Sequence, residues 1–442
     1  MLRWVDTVFP RRVLFQEDRR LLYLFAGRLI SSTGFAIVIP FLALYLHGVR
    51  GIPMSAVGSV FFVAALAGAL GQVVGGDMSD RYGRKMVLLI SQFLRAVAFA
   101  GLGASVLWHW PFLAFVLLTS LSSIAGRMYE PPSAAMVADI THGEKRIEAY
   151  GVLRVGGNLG WALGPALGGF LAAQSYASLF FLGAFVLLVA GVLIALKVVE
   201  TIPDRARREP PGDEPARVQV PQIGPSTGGR RLSYAGLDVI ARDRLFLRYC
   251  VITLLLFLVM AQLMSTLSVF AVEWVGLSKV QLGFLYTLNG LMVVFLQFPA
   301  TRLLGGTRMT TALTVGSLLY ALGYGMMGWA SGFVPLLIAM FIVTSGEIVS
   351  LPASMGLVAN FSSEELRGRY MGVYGLFNAF GWSIGPLAGG ALLDLAKGRP
   401  IVLWCGLASV TVIAAAGYWD LRRRIDPSTD RESAAAGRPA VA

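Results

Sequence analysis

The sequence is poor in charge and in cysteine, and each shortage argues against a class of protein. Only 14% of the 442 residues are charged, whereas 56% are hydrophobic, and a soluble protein of this length carries about 25% charged residues. The two cysteines, Cys250 and Cys405, lie in or beside apolar runs, so we expect neither a disulfide nor a metal site. No stretch has the spacing of a nucleotide-binding loop or a hydrolytic site. We therefore expect no cofactor, and neither an enzyme nor an ATP-driven pump.

Apolar runs of about 20 residues are abundant, and each is long enough to cross about 30 Å of hydrocarbon as a helix. Six such spans precede a long polar linker and six follow it. The pattern predicts an all-α membrane protein with twelve transmembrane helices. The predicted spans begin near Leu21, Met54, Met86, Pro111, Ile147, Tyr176, Leu245, Val280, Met309, Phe333, Arg367 and Ile401.

The spans and their polar flanks divide the chain into five parts. We predict a cytoplasmic N-terminal segment at 1–20, a six-helix bundle at 21–200, a cytoplasmic linker at 201–244, a second six-helix bundle at 245–421 and a disordered cytoplasmic tail at 422–442. The linker has too few apolar residues to bury a core. No cleavable signal peptide is predicted, because the basic N-terminal segment leads directly into a full-length span.

The net charge of +12 follows membrane topology and does not indicate nucleic-acid binding. If the N-terminus is cytoplasmic, the predicted outer side holds only Arg50, Lys279, Lys397 and Arg399. This bias predicts that both termini lie in the cytoplasm. We further expect a monomer in the plasma (bacterial inner) membrane. Its partners would be the bilayer, protons and a small-molecule substrate. Four arginines remain within the spans, namely Arg28, Arg95, Arg127 and Arg154.

The two halves of the chain share a glycine motif. Gly160 to Gly169 reads Gly-Trp-Ala-Leu-Gly-Pro-Ala-Leu-Gly-Gly, and Gly381 to Gly390 reads Gly-Trp-Ser-Ile-Gly-Pro-Leu-Ala-Gly-Gly. The offset of 221 residues also aligns Asp139 with Asn360. In a hydrophobic chain, an internal duplication of this kind is typical of a transporter whose site lies between the repeats.

The loop between spans 2 and 3 is a short and highly charged turn, which reads Gly-Asp-Met-Ser-Asp-Arg-Tyr-Gly-Arg-Lys at 76–85. Glycine permits a tight backbone, and the basic residues favour the cytoplasmic side, so a simple topological anchor is one interpretation. The spacing Gly-x-x-x-Asp-Arg-x-Gly-Arg-Lys, accompanied by twelve spans, resembles the loop signature of the major facilitator superfamily.

This resemblance covers essentially the whole chain and implies the major facilitator fold, in which two homologous six-helix bundles surround a cavity lined by spans 1, 4, 7 and 10. It further implies that Asp80 contacts the cytoplasmic start of span 11 and that Arg84 reaches Asp139 at the end of span 4. We predict that these contacts form a conformational latch. Its residues are Gly76, Asp80, Arg81, Gly83, Arg84, Lys85 and Asp139.

The glycine motif in span 5 resembles the antiporter motif of the drug:proton branch of that superfamily. Its matching residues are Gly160, Gly164, Pro165, Gly168 and Gly169. Plain helix packing is the alternative, because small residues let a neighbouring backbone approach closely. The chain departs from this branch in span 4, where the arginine expected near 118–119 is absent and Arg127 lies two turns further on.

Carboxylates are rare within the spans, and Glu130 and Glu347 are the two that lie mid-span. A carboxyl group in a weakly hydrated cavity can load and release a proton, so one of them is the predicted proton carrier. A permanent ion pair of Glu130 with Arg154 or Arg127 is the alternative. The predicted substrate-binding residues are polar side chains of the spans, namely Arg28, Arg127, Arg154, Asn158, Gln262, Tyr286, Asn289 and Asn378.

These features predict a secondary active transporter that exports lipophilic or amphipathic small molecules in exchange for protons by alternating access. One alternative with the same fold is a proton symporter or uniporter for a specific metabolite or lipid-like solute. Another is a transporter-shaped sensor or scaffold that does not transport. Flux measured with and without a pH gradient would separate the three.

Overall fold

A computed structural model describes residues 19–141, 144–201, 237–362 and 366–431, and all regular structure in these ranges is helical. The first half contains seven helices in the described residues, because predicted span 4 is divided in two. They are α1 (Arg19–Leu44), α2 (Met54–Tyr82), α3 (Arg84–Leu107), α4 (Phe112–Met128), α5 (Glu130–Ile140), α6 (Glu144–Gln174) and α7 (Tyr176–Lys197).

The second half begins with a short helix and has an interrupted seventh span. The helices are α8 (Leu237–Arg242), α9 (Arg244–Met260), α10 (Thr266–Val269), α11 (Lys279–Leu303), α12 (Met309–Met327), α13 (Phe333–Phe361), α14 (Arg367–Ala396) and α15 (Pro400–Arg424). A 3₁₀ turn at Ala261–Met264 separates α9 from α10. Single π-helical turns follow α1 at Tyr45–Val49 and α10 at Phe270–Trp274.

Ten helical stretches of the described chain are long and apolar enough to cross a membrane. The helices α6 and α12 fall outside this set, because their glycines and polar residues lower the local hydropathy. The protein is therefore an all-α, multi-pass membrane protein. The count of twelve remains a prediction. The ten stretches are Arg19–Val49, Met54–Tyr82, Arg84–Leu107, Phe112–Ile140, Tyr176–Lys197, Arg244–Met264, Lys279–Leu303, Phe333–Phe361, Arg367–Ala396 and Pro400–Arg424.

Two prolines break predicted span 4 between α4 and α5. Pro131 and Pro132 have no backbone N–H, so two hydrogen bonds of a continuous helix cannot form. Tyr129 stands between the two helices, and its carbonyl accepts the N–H of Ser133 at 3.3 Å. The break places Glu130 at the first position of α5.

The described chain packs into two compact units whose boundaries differ from the predicted bundles at 21–200 and 245–421. The first unit comprises Met1–Val220, Gln262–Val294 and Pro386–Gly398. The second comprises Pro221–Ala261, Phe295–Gly385 and Arg399–Ala442. Residues from three helical regions of the second sequence half thus pack with the first half.

The core of the first unit gathers apolar side chains from five helices. Leu24 of α1, Leu88 of α3, Val137 of α5, Val152 of α6 and Ile194 of α7 belong to one buried cluster. Lipid is as apolar as these side chains, so close packing holds such helices together inside a membrane. The cluster fixes α1, α5 and α6 against one another, and these helices carry most of the candidate site.

A group of tyrosines fills the core of the second unit. The hydroxyl of Tyr249 donates to the carbonyl of Ser354 at 2.7 Å, and the ring of Tyr249 stacks on Tyr374 with centres 6.1 Å apart. The hydroxyl of Tyr418 donates to Thr253 at 2.9 Å. Each buried hydroxyl named here therefore has a partner, as burial requires.

The chain beyond α15 folds back onto the start of α12. The buried carboxylate of Asp430 accepts hydrogen bonds from Nε of Arg308 at 2.6 Å and from the N–H of Thr310 at 2.8 Å. The predicted disordered tail at 422–442 is therefore wrong as far as residue 431. Residues 432–442 lie outside the described residues, as do 1–18 and 202–236 of the predicted N-terminal segment and linker.

Candidate functional site

An ion pair between Arg28 and Glu130 lies in the first unit, on stretches that can cross a membrane. Nη1 of Arg28 on α1 donates to Oε1 of Glu130 at 2.7 Å. The helix dipole of α5 favours a carboxylate at this position. The guanidinium also lies 5.9 Å from the ring centre of Tyr129. Helix α6 borders the pair, because a Cβ at Gly157 would lie 3.3 Å from Nε of Arg28.

Arg95 of α3 belongs to the same region, although the sequence pattern assigned it no role. Its guanidinium carbon lies 4.1 Å from the ring centre of Phe35 on α1. Gly126 makes room for it on α4, because a Cβ there would lie 3.0 Å from the same carbon. Nε of Arg95 is enclosed without a hydrogen-bond partner in the described chain. The sequence did carry a signal for Arg95, namely a charged residue within an apolar span, since intramembrane charges usually mark functional sites.

Arg127 and Arg154 are exposed, and neither forms an ion pair with a described residue. Arg127 lies in the last turn of α4, and Asn158 follows Arg154 by one turn on α6, where it is half-buried. The pairing of Glu130 with Arg154 or Arg127 is therefore wrong, because the partner is Arg28.

Gln262, Tyr286 and Asn289 lie in the part of the second sequence half that packs in the first unit. Gln262 is buried in the 3₁₀ turn, and its Oε1 accepts the hydroxyl of Thr266 at 2.7 Å. The buried hydroxyl of Tyr286 donates to the carbonyl of Leu263 at 2.6 Å. These bonds stabilise the interrupted span 7. Asn289 is half-buried on α11, and substrate binding by the three residues remains a prediction.

Glu347 and Asn378 belong to the second unit, and both are half-buried. Glu347 on α13 lies close enough to Tyr320 of α12 to act on it electrostatically. Asn378 on α14 lies near the hydroxyl of Tyr374, one turn earlier, and that hydroxyl lies 2.9 Å from Oγ of Ser354. Their predicted roles in proton transfer and substrate binding remain predictions.

The charged turn places Arg84 against the end of α5. Its guanidinium forms the expected ion pair with Asp139 and donates to the carbonyl of Ala135 at 2.9 Å. The N–H groups of Arg84 and Lys85 donate to the two carboxylate oxygens of Glu200 at 3.2 and 3.0 Å. Glu200 therefore caps α3, where free N–H groups and the helix dipole favour a carboxylate. The sequence pattern did not reveal Glu200, because it lies 116 residues after Arg84.

The two glycines of the turn have different structural roles. Gly83 separates α2 from α3 with φ of +100°, a conformation that glycine adopts without strain. A Cβ at Gly76 would lie 4.0 Å from Cβ of Pro131, so α2 passes close to the break in span 4. Nζ of Lys85 donates to the carbonyl of Ala195 at 2.7 Å. The turn is thus bonded to the ends of α5 and α7.

Asp80 and Arg81 are both exposed at the end of α2. Arg81 pairs with Asp77 one turn earlier, at 2.8 Å. Asp80 lies within electrostatic range of Arg84 and Asp77. The contact of Asp80 with span 11, and the latch function as a whole, remain predictions.

The first copy of the glycine motif forms the face of α6 that crosses α1. A Cβ at Gly164 would lie 2.6 Å from Cβ of Ala36 and 2.8 Å from the carbonyl oxygen of Thr33. Gly160 and Gly168 likewise approach the backbone of α1, with Cβ positions 2.7 and 2.6 Å from carbonyl oxygens. The two backbones nearly touch here, so a larger side chain cannot fit without moving the helices.

The second copy forms the corresponding face of α14 against the end of α9. A Cβ at Gly385 would lie 2.5 Å from Cβ of Ala261 and 2.6 Å from the carbonyl oxygen of Leu258. A Cβ at Gly381 would lie 2.7 Å from Cβ of Phe257. Both copies are therefore tight packing seams.

The last glycine of each copy faces a different helix, and both crossings lie in the first unit. A Cβ at Gly169 would lie 2.5 Å from the carbonyl oxygen of Lys279 at the start of α11. A Cβ at Gly390 would collide with the carbonyl of Met54 at the start of α2. The crossings of α6 with α11 and of α2 with α14 are thus built alike.

Each crossing also carries one charged group at a helix end. The carboxylate of Asp394 accepts the N–H groups of Met54 and Ser55 at 3.0 and 2.8 Å, which caps α2. Nζ of Lys279 donates to the carbonyl of Ala172 near the end of α6, at 2.8 Å. A carboxylate at a helix N-terminus and a cation at a C-terminus both complement the helix dipole.

The comparison with known families agrees with this architecture. A family model described as the Major Facilitator Superfamily matches residues 24–350 and 275–442. The chain belongs to this superfamily. The resemblance of the charged turn is thereby confirmed, and the protein is a transporter-family member and not an enzyme.

Several curated members of the superfamily are similar over most of their length. An uncharacterised transporter of this superfamily, YqjV of Bacillus subtilis, is 26% identical over 392 residues, which are 88% of each chain. The multidrug resistance protein MdtH of Aeromonas salmonicida is 25% identical over 88% of this chain and 92% of its own. A Na(+), Li(+), K(+)/H(+) antiporter of Planococcus maritimus is 24% identical over 90% of this chain and 92% of its own.

Solved structures of transporters share the fold. A POT family transporter, crystallised with a thioalcohol-conjugated peptide, superposes with a TM-score of 0.71 over 94% of this chain and 99% of its own. Its sequence identity is 14%, so the likeness concerns the fold alone.

Proposed function

We propose that the chain is a proton-coupled secondary transporter that exports lipophilic or amphipathic small molecules across the bacterial inner membrane, with both termini in the cytoplasm. The observation that carries this proposal is the ion pair of Arg28 with Glu130 on membrane-spanning helices. Exchange for protons is supported by relatives named as a multidrug resistance protein and as a cation/proton antiporter.

Glu130 supplies the proton-binding group in this proposal. While it is ionised, its charge is paired with Arg28 at 2.7 Å. Protonation removes the negative charge and releases the guanidinium, so proton binding changes what the site can hold. Glu347, which is half-buried in the second unit, is the other candidate carrier.

A change of the substrate site from one side of the membrane to the other would act at the two helix crossings of the first unit. They join α6 to α11 and α2 to α14, and each pairs one helix from each sequence repeat. We propose that the crossings are intact in one access state and separated in the other. Their contacts are between backbones and two charged helix ends, so they can break and re-form without repacking large side chains.

The charged turn acts as a cytoplasmic latch in this scheme, with Asp80 completing the pair of Arg84 and Asp139. Asp80→Asn should increase labelling of cytoplasmically exposed positions, because one charge-assisted contact is lost. Unchanged labelling together with full transport would reduce the turn to a topological anchor.

Flux through the purified chain in liposomes tests the proposal. Wild-type protein should drive ethidium uptake into vesicles with an acidic interior, and Glu130→Gln should abolish this uphill transport. Asp420→Asn is the matched control, because that carboxylate is paired with Arg248 and Arg424 at the partly exposed end of α15 and not with Arg28. Retained uphill transport in Glu130→Gln would move the proton role to Glu347. Absence of flux for every probe would favour a sensor or scaffold.

Proton symport of a specific solute is a second candidate function, favoured by the surplus of arginine around Glu130. A transported cation would compete with the proton for the carboxylate, which is the basis of antiport. A transported anion would instead compete with the carboxylate for Arg28 and would bind together with the proton. The charge of the substrate therefore decides between the two coupling modes.

A further inference from the structure

The charges around the Arg28–Glu130 pair do not balance. Arg28, Arg127 and Glu130 all act electrostatically on Arg95, so the four groups form one cluster. Among the described residues, no carboxylate lies within ion-pair distance of Arg95 or Arg127. Arginine stays protonated in proteins, so a single carboxylate faces three positive charges.

The surplus charge lies on helices that cross the membrane, where unpaired cations are costly. The ring of Phe35 under Arg95 offsets part of this cost through a cation–π contact. Yet Nε of Arg95 is enclosed without a partner, and no described residue accepts a hydrogen bond from the guanidinium. The guanidinium of Arg95 is held in place but lacks hydrogen-bond acceptors from the described residues, so it is suited to bind an anionic ligand.

Aromatic side chains lie beside the arginines. Phe35 and Trp161 pack edge to face with ring centres 5.7 Å apart, and both are half-buried. Phe25, one turn before Arg28 on α1, lies against α6, since a Cβ at Gly156 would be 3.0 Å from its ring. The region therefore offers positive charge next to an aromatic surface. That combination suits a ligand with an anionic head and an apolar body.

We propose that this site takes an amphipathic anion, which competes with the carboxylate of Glu130 for Arg28. The proposal rests on the proposed function only in treating the Arg28 region as the substrate site. The same anion would also accept hydrogen bonds from the guanidinium of Arg95, which has no acceptor among the described residues.

Binding of matched probes to the full-length chain in phosphatidylcholine nanodiscs tests the proposal. The probes are 1-pyrenesulfonate, (1-pyrenylmethyl)trimethylammonium and pyrenemethanol. They share one apolar body and are an anion, a cation and a neutral molecule, respectively. We expect saturable binding of the sulfonate, about tenfold tighter than binding of the cation.

Three variants separate the cluster from general effects of mutation. Glu130→Gln should tighten sulfonate binding about tenfold, because Arg28 is then no longer paired with a carboxylate. Arg95→Gln should weaken sulfonate binding about tenfold and leave pyrenemethanol unchanged. Arg95→Lys is the fallback variant if Arg95→Gln folds poorly. It retains the positive charge and should bind the sulfonate more tightly than Arg95→Gln does. Arg302→Gln, at an exposed arginine near the end of α11, is the matched control and should change nothing.

Two results would overturn the inference. One is cation binding as tight as sulfonate binding. The other is sulfonate affinity that neither Glu130→Gln nor Arg95→Gln changes. The proposed function fails separately, since intact anion binding without proton-coupled flux in liposomes leaves the inference standing. Proton-driven ethidium transport without anion binding would overturn the inference and leave the proposed function standing.

Discussion

The two copies of the glycine motif make similar contacts at three of their four aligned pairs of motif glycines, and differ at Gly168 and Gly389, where Gly168 meets a backbone carbonyl and Gly389 meets the side chains of Gln262 and Thr266. Gly164 and Gly385 each approach the Cβ of an alanine on the facing segment, at 2.6 and 2.5 Å. Gly169 and Gly390 each meet a backbone carbonyl at the start of another helix. The first copy therefore needs no special role to explain its sequence, because the second copy packs in a similar way.

The carboxylates that cap the third predicted span of each half, α3 and α12, agree less closely. Glu200 caps α3 from a half-buried position three residues beyond α7. Asp430 caps α12 from a buried position six residues beyond α15. The longer connection contains a turn in which Ser428 donates to Asp426, and these bonds hold the pKa of Asp426 below its ordinary value.

The same divergence appears at Asp139 and Asn360, which the duplication aligns. Asp139 pairs with Arg84, whereas Nδ2 of Asn360 donates to the carbonyls of Thr429 and Arg431, at 2.8 Å each. The asparagine thus holds the chain segment that supplies Asp430. Contacts between backbones restrict a position to glycine, whereas a carboxylate can reach the same helix end from several positions.

The largest contrast is expected between the two caps. Asp430→Ala should lower the free energy of unfolding by about 3–5 kcal/mol, because it leaves the largely buried Arg308 without its partner. Glu200→Ala should cost about 1–2 kcal/mol, because it removes a half-buried cap. Denaturant unfolding of both variants in one detergent measures the difference. Equal losses would show that burial does not separate the two caps.

A matched pair of glycine variants is expected to show an intermediate effect. Gly164→Leu and Gly385→Leu should each cost about 1–3 kcal/mol, because four carbons enter a contact between backbones. The two variants should also cause equal proton leak in the same vesicles. A leak confined to Gly164→Leu would support an antiporter-specific role of the first copy.

The smallest effect is expected at the charged ends of the two crossings. Asp394→Ala should cost about 1 kcal/mol, since it uncaps α2, and Lys279→Ala should cost about 0.3–1 kcal/mol at the end of α6. Thermal unfolding checks the order of the two. Lys397→Ala is the control, because Lys397 is exposed and should leave stability unchanged.

The sequence was sufficient for those features that depend on the backbone or on local pattern. Length and hydropathy predict the spanning helices, and the repeated glycines predict tight seams. The prolines after Glu130 are a local signal for the break in span 4. The charged turn was specific enough to indicate the family and the ion pair of Arg84 with Asp139.

Long-range partners of single charges could not be predicted in the same way. Glu200 and Asp430 bond to N–H groups more than a hundred residues earlier, and any nearby carboxylate could have served. Glu130 had several arginines within reach by residue counting, and the packing of α1 beside α5 selects Arg28. Pairings of this kind follow from tertiary packing, which a single sequence does not specify.

The position of Asp430 sets an order for assembly during synthesis. The ribosome makes Glu200 before the second half begins, so α3 can be capped while the rest of the chain is still being translated. Thr310 precedes Asp430 by 120 residues, so at about 5–20 residues per second α12 lacks its cap for about 6–24 s. During that interval Arg308 has no carboxylate from the tail. Arg84 precedes Glu200 by 116 residues, so α3 lacks its cap for nearly as long, and each half passes through an uncapped interval of this kind during insertion.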